Sequence, residues 1–219
     1  MTDGIILIDK PMGMTSFGVV ARVRRVLSEK AGKKVKAGHT GTLDPFATGL
    51  MIIVVGKECK KAGDYSKLDK VYEATIRLGQ TSTTGDPEGE ITNVSSLVPA
   101  QAEIKVALDK FKGEITQRPP IYSAIKINGE RAYKLARKGE KMIMPTRQVT
   151  VFSLELLDYK YPELNIRAHV SSGTYIRTLA EDIGAELEVG AYCSYLRRIS
   201  IAHQNVADAI TLADLGINN

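Results

Sequence analysis

The sequence predicts a single α+β domain, with a mixed, mostly antiparallel central sheet and flanking helices. Three observations carry this. The continuous apolar run at 50–55 is bounded by Gly49 and Gly56 and reads as a buried strand. The runs at 148–159 and 164–172, joined by Tyr161-Pro162-Glu163, read as a hairpin. Apolar residues recur at helical spacing in two places: Val19, Val20, Val23, Val26 and Leu27, then Ile176, Leu179, Ile183 and Leu187.

Composition narrows the class. At 219 residues and 43% hydrophobic, the chain can bury a sizeable core. Thirty Lys plus Arg against 25 Asp plus Glu leaves +5, an excess that permits a polyanionic partner. Cys59 and Cys193 are far apart, and His39, His169 and His203 lack metal-ligand spacing, so neither a disulfide framework nor a zinc site is suggested. The acidic N-terminus carries only a short apolar run, and no stretch approaches the ~20 residues of a membrane span. A soluble, cytoplasmic protein is expected.

Taken in order, 4–9 reads as a strand and 10–13 as a turn. Thr15 or Ser16 can cap the first helix, with Arg22, Arg24 and Arg25 off its apolar stripe. Lys33, Lys34 and Lys36 precede a segment, 37–49, whose residue types make no sense as packing: AGHTGTLDPFATG. A polar, glycine-rich loop leading into a buried strand is where sites sit. Gly38, Gly41 and Gly49 allow positive φ and close approach to a ligand. Asp44 before Pro45 is pushed towards an extended conformation that can project its carboxylate; the bland alternative is an Asx-type turn.

A short helix over 57–66 and a strand over 71–78 follow. The alternation of that strand is imperfect and leaves the face of Tyr72 open. Residues 80–90 form a polar loop, 99–111 hold a helix with Ile104, Leu108 and Phe111 in register, and 122–127 read as a strand. Within it, Ser123-Ala124-Ile125-Lys126 matches S-x-x-K, but the companion motifs of serine acyl-enzymes are absent, so that reading is rejected.

The spacing predicts a helix over 130–141 with one basic face, Arg131, Lys134, Lys138 and Lys141, where Glu130 to Lys134 is the only well-placed internal pair. Gly139 is a possible end, with Lys141 then just beyond. So few acids suit a phosphate backbone. Residues 171–174 open the next helix, and Arg177 lies in its first turn, where the helix dipole disfavours a cation. Either that charge is used or it pairs with Glu181 at i, i+4. A strand over 191–201 and a short helix near Leu212 close the chain.

The motifs GHTGTLDPFATG, DKVYEA, RPPIYSAIKINGERAYKLARKG, SSGTYIRTLAEDIG and YLRR, in that order, closely resemble the TruB family of tRNA pseudouridine synthases, as does the opening DKPMGMTS. The resemblance runs from about Gly4 to about Leu215. It implies a pseudouridine synthase-like fold with a basic catalytic cleft, bordered by the 37–49 loop and the 130–141 helix. It also implies isomerisation of one uridine to pseudouridine in the T-loop of tRNA, with no cofactor and no metal, by a monomer bound to the T-arm. Asp44 matches the catalytic aspartate, Arg177 the arginine that pairs with it, Tyr72 the tyrosine that stacks on the base, and Leu196 an apolar pocket wall. Tyr175 and Lys10 match positions near the site, and His39 matches a histidine that contacts the RNA loop. Bacterial members usually continue into a C-terminal PUA-type domain, for which a chain ending at Asn219 has no length. The competing classes are an RNA-binding or RNA-folding protein without catalysis, and a nucleotide-binding enzyme. The latter lacks Walker spacing and a dinucleotide fingerprint.

Overall fold

The computed structural model describes residues 3–123, 125–127, 129–140 and 142–217. In chain order the elements are β1 (Gly4–Lys10), α1 (Ser16–Ala31), β2 (Ala37–His39), β3 (Thr48–Val55), a 3-10 turn (Gly56–Lys61), α2 (Ala62–Ser66), β4 (Lys70–Leu78), β5 (Gln80–Ser82), β6 (Ile91–Asn93) and α3 (Gln101–Lys110). There follow β7 (Gly113–Gln117), β8 (Lys126–Ile127), β9 (Glu130–Arg131), α4 (Ala132–Arg137), β10 (Arg147–Lys160), β11 (Glu163–Val170), α5 (Ile176–Glu186), β12 (Ala191–Ile201) and β13 (Gln204–Asn205). The architecture is α+β, with mostly antiparallel strands and flanking helices. None of the helices among the described residues is long and apolar enough to cross a membrane.

Two compact units divide the chain: Met1–Tyr72 with Arg197–Asn219, and Glu73–Leu196. The division falls within β4 and within β12. In the first unit β1 lies antiparallel to β3 along its whole length, from Gly4 opposite Val55 to Lys10 opposite Gly49. The far end of β3 also pairs with β2, and its start pairs in parallel with the end of β12, Arg198 opposite Gly49. Val19, Val20, Val23 and Leu27 bury the inner stripe of α1, which Thr15 caps by accepting from Gly18 N–H. In the second unit the strand order is β12-β4-β11-β10-β7, with β10 and β11 a long hairpin. Small hairpins β5–β6 and β8–β9 stand outside that sheet.

Several expectations are corrected. The strand expected over 122–127 is reduced to β8, because 121–123 bend. The helix after 171–174 starts only at Ile176. The strand over 191–201 is not the last, since β13 folds back on it. Of the three loop glycines only Gly49 has positive φ, at 100°, and the Arg198 backbone fills the space where its Cβ would lie. A Cβ there would overlap the Arg198 carbonyl oxygen and lie 2.7 Å from its backbone nitrogen. Gly49→Ala is therefore expected to destabilise the first unit by roughly 1–3 kcal/mol from backbone conformation alone, with the clash adding to it. Thermal melting checks this, and a Tm equal to wild type would contradict it.

Candidate active site

The 37–49 segment becomes β2, a turn, and the start of β3. Its apolar residues Leu43, Phe46 and Ala47 are buried, which sinks the turn into the first unit and leaves Asp44 half-buried between them. The backbone on both sides of Asp44 is pinned. Before it, the buried Ser16 hydroxyl accepts from Leu43 N–H at 2.8 Å and donates to Leu43 O at 2.9 Å. After it, Pro45 O accepts from Gly13 N–H at 2.8 Å and from the Lys10 ammonium at 3.2 Å. Lys10 is fully buried and also donates to Pro11 O and Met14 O. A buried ammonium among carbonyls is costly unless it ties them together, and here it ties the 11–14 turn to the 44–45 turn. Asp44 O itself accepts from Ala47 N–H at 3.2 Å.

Two arginines from the end of β12 brace the same loop. Arg198 is buried, donating from Nε to Leu50 O at 2.7 Å and from Nη2 to Gly41 O at 3.2 Å. Arg197 forms a forked pair with Asp9, at 2.6 and 3.1 Å, and reaches Thr48 Oγ1 at 3.3 Å. Sequence reasoning missed both roles. The available signal covered Arg198 alone, which falls on the same alternation as the buried Tyr192 and Leu196, whereas Arg197 lies on the other face. His39 is largely enclosed; burial, then the charge of Arg198, lowers its pKa from the ordinary value, so the imidazole is neutral near pH 7. Its Nδ1 has no hydrogen-bond partner among the described residues.

On β4 the buried face carries Lys70, Tyr72, Ala74, Ile76 and Leu78, which answers the question left by the irregular alternation: Tyr72 points inward and Val71 does not. Burial and the neighbouring Arg198 charge push the Lys70 ammonium down to about 8.

Arg177 lies in the second unit and is buried at the second residue of α5. Its guanidinium donates to Thr84 O, Asp86 Oδ2 and Tyr122 O, each at 2.8 Å. Asp86 is equally buried and accepts further from Thr84 Oγ1 at 2.6 Å and Glu88 N–H at 3.0 Å. This carboxylate, unnoticed in the 80–90 loop, supplies the negative charge that a cation at a helix start requires. Glu181, the expected i, i+4 partner, has its pKa raised by burial and pulled back by Arg177. Tyr175 caps α5; its N–H and C=O both bond the buried Gln117 amide, and the Arg147 guanidinium lies 5.0 Å from its ring centre. Leu196 is buried on the inward face of β12.

The basic helix is shorter than its spacing suggests. Glu130 and Arg131 pair with Ile127 and Lys126 in a hairpin, so helix begins only at Ala132 and ends at Arg137, before Gly139 with φ at 76°. Lys134 and Lys138 are exposed, and so is Arg131 on its strand. Glu130 pairs with Lys138 at 2.8 Å, where an i, i+4 pair with Lys134 was expected. Lys141 lies outside the described residues.

The α+β scaffold has counterparts among solved structures. The chain superposes on one chain of the crystal structure of a Cbf5-Nop10-Gar1 complex with a TM-score of 0.73 at 31% identity, covering 97% of this chain and 53% of that one. It superposes on one from an H/ACA RNP bound to a substrate RNA containing 2'-deoxyuridine with a TM-score of 0.70 at 29% identity, covering 97% and 52%. The profile of the TruB family pseudouridylate synthase N-terminal domain matches residues 24–176, and that of the tRNA pseudouridylate synthase B C-terminal domain matches 177–217. The chain belongs to the TruB family. Its relatives include tRNA pseudouridine synthase B of Burkholderia lata, 43% identical over 97% of this chain and 64% of the relative, and that of Dechloromonas aromatica, 42% identical over 97% and 70%.

Proposed function

We propose that this chain isomerises a uridine to pseudouridine in the T-loop of tRNA, with Asp44 as the catalytic carboxylate. The observation that carries the reading is the pinning of the backbone on both sides of Asp44, at Leu43 by Ser16 and at Pro45 by Lys10. Such support fixes the Cα position from which the carboxylate projects, which reduces the cost of presenting it to a substrate. The reaction exchanges a carbon–nitrogen for a carbon–carbon glycosidic bond without changing composition. Its balance therefore calls for no oxidant and no metal, only an ionised carboxylate acting as nucleophile or base at the sugar or the ring.

On the resemblance of its motifs to the family, this reading takes Arg177 as the cation that keeps Asp44 ionised and oriented, Tyr72 as the ring that stacks on the uracil, and Leu196 as an apolar wall. Tyr175 and Lys10 support the site, and His39 contacts the RNA loop as a neutral donor or acceptor. A stacked base cannot reach a turn carboxylate, so the uridine is flipped out. Incubating the protein with an unmodified tRNA transcript and mapping pseudouridine tests the reading. A transcript left without pseudouridine at every position would overturn it.

Substrate grip is assigned to Arg131, Lys134, Lys138 and Lys141. Lys138 already has Glu130 as a partner, so its share is smaller than that of Lys134. Replacing both Lys134 and Lys138 by Ala is expected to flatten the slope of log affinity against log salt by roughly one to two units. The rate at saturating tRNA should hardly move. A salt series on wild type and double variant measures this, and an equal slope for both would leave the segment a solvated surface.

A further inference from the structure

A second cluster of cations lies in the first unit, well away from Asp44. Helix α1 ends at the left-handed Gly32, whose N–H bonds back to Glu29 O. This turns the chain so that Val35 is buried while Lys33, Lys34 and Lys36 face solvent. Lys36 O accepts from Gly56 N–H at 2.8 Å, which brings the 3-10 turn carrying Lys57 and Lys60 alongside. The five lysines, with Asp3, line one open pocket of about 410 Å³. All five are exposed, and none has an ion-pair partner among the described residues. Of the acids close by, Asp3 stays in the pocket, accepting from Lys57 backbone N–H at 2.6 Å, so the lining still carries four net positive charges (five lysines less one aspartate), while Glu58 is paired with Lys61 and bonded to Tyr65.

Five unpaired ammonium groups around one concavity repel each other and raise the local potential, which a polyanion relieves. Lysine is a point charge that reads phosphate without reading sequence. Position identifies which part of a polyanion fits. Ala37 pairs with Val55, so the lysines flank one end of the β2–β3 pair, whereas the turn bearing Asp44 leaves from the other end at Thr48. Seven residue steps of about 3.3 Å put roughly 23 Å between the two ends of β3. An A-form RNA duplex, rising about 2.8 Å per pair, covers that distance in about eight base-pair steps.

We propose that this lysine pocket is a second RNA-backbone site, gripping a duplex segment of the substrate about eight base pairs from the reacting uridine. The proposal rests on the reading of the chain as an RNA-modifying enzyme. It makes affinity depend on stem length as well as on the loop presented to Asp44.

The test is the triple variant Lys34→Ala, Lys57→Ala, Lys60→Ala. All three side chains are exposed, so the fold should be retained. Binding is measured across a salt series with two probes: an unmodified tRNA transcript, and the isolated T-arm stem-loop with its stem cut to about four base pairs. On the tRNA the variant should bind more weakly, with the salt slope flattened by roughly two to three units and the saturated rate unchanged. On the short stem-loop, wild type and variant should share one slope. An unchanged slope on tRNA, or an equal loss on both probes, overturns the proposal. Pseudouridine formation by wild type is scored separately: a slope loss without any product sinks the proposed activity and leaves the pocket standing.

Discussion

Asp44→Asn is expected to lower turnover on unmodified tRNA by on the order of 10⁴–10⁶-fold, the scale seen when a reacting group is deleted from a working site. RNA affinity should stay close to wild type. The substitution is isosteric, and the groups that hold the turn are the Leu43 and Pro45 backbone atoms with Ser16, Gly13 and Lys10, none of which it touches. An amide in the same place cannot act as nucleophile or as base. Single-turnover kinetics with saturating enzyme separates chemistry from binding. Isomerisation by the variant near the wild-type rate would remove Asp44 from the mechanism and leave an RNA-binding protein.

The second large effect concerns Arg177. Its charge is matched by Asp86 in a buried pair, and its guanidinium also donates to Thr84 O and Tyr122 O. Arg177→Met strands the Asp86 carboxylate, and breaking a buried pair by removing one partner costs about 3–5 kcal/mol. For a chain of this size that corresponds to a fall of roughly 6–20 °C in Tm. If Arg177 also serves the reacting carboxylate, the rate per folded molecule should drop by about 10²–10³-fold, as when an electrostatic partner of a reacting charge is lost. Asp86→Asn separates the two roles. The amide oxygen can still accept from Thr84 and Glu88, while the amide nitrogen meets the guanidinium as donor against donor. That variant should misplace Arg177 and lower kcat with little change in KM. Arg177→Met with a lowered Tm but a normal rate per folded molecule would make the pair structural only.

Legibility in the sequence followed the physics of each segment. Asp44 stood out because three glycines, three threonines, a histidine and a proline around one carboxylate cannot form a packing surface. Strand β3 was recognisable from its continuous apolar run, and α1 and α5 from their apolar stripes. Asp86 was invisible, since a turn aspartate that becomes buried looks like any other until a cation arrives 91 residues later in the chain. The basic helix was drawn too long because wheel spacing continued through Glu130 and Arg131, which a two-residue hairpin claims instead.

Local chemistry and periodicity therefore determined the α+β class, the candidate carboxylate, and the excess of cations that points to a polyanion. Tertiary structure alone decided which charges are spent inside the protein. Lys10 and Arg198 are buried among backbone carbonyls, and Lys138 is partly neutralised by Glu130, whereas the lysines at 33, 34, 36, 57 and 60 are left facing solvent together. The reason is that a charge's availability depends on burial and on partners distant in sequence, and no local pattern of residues records either.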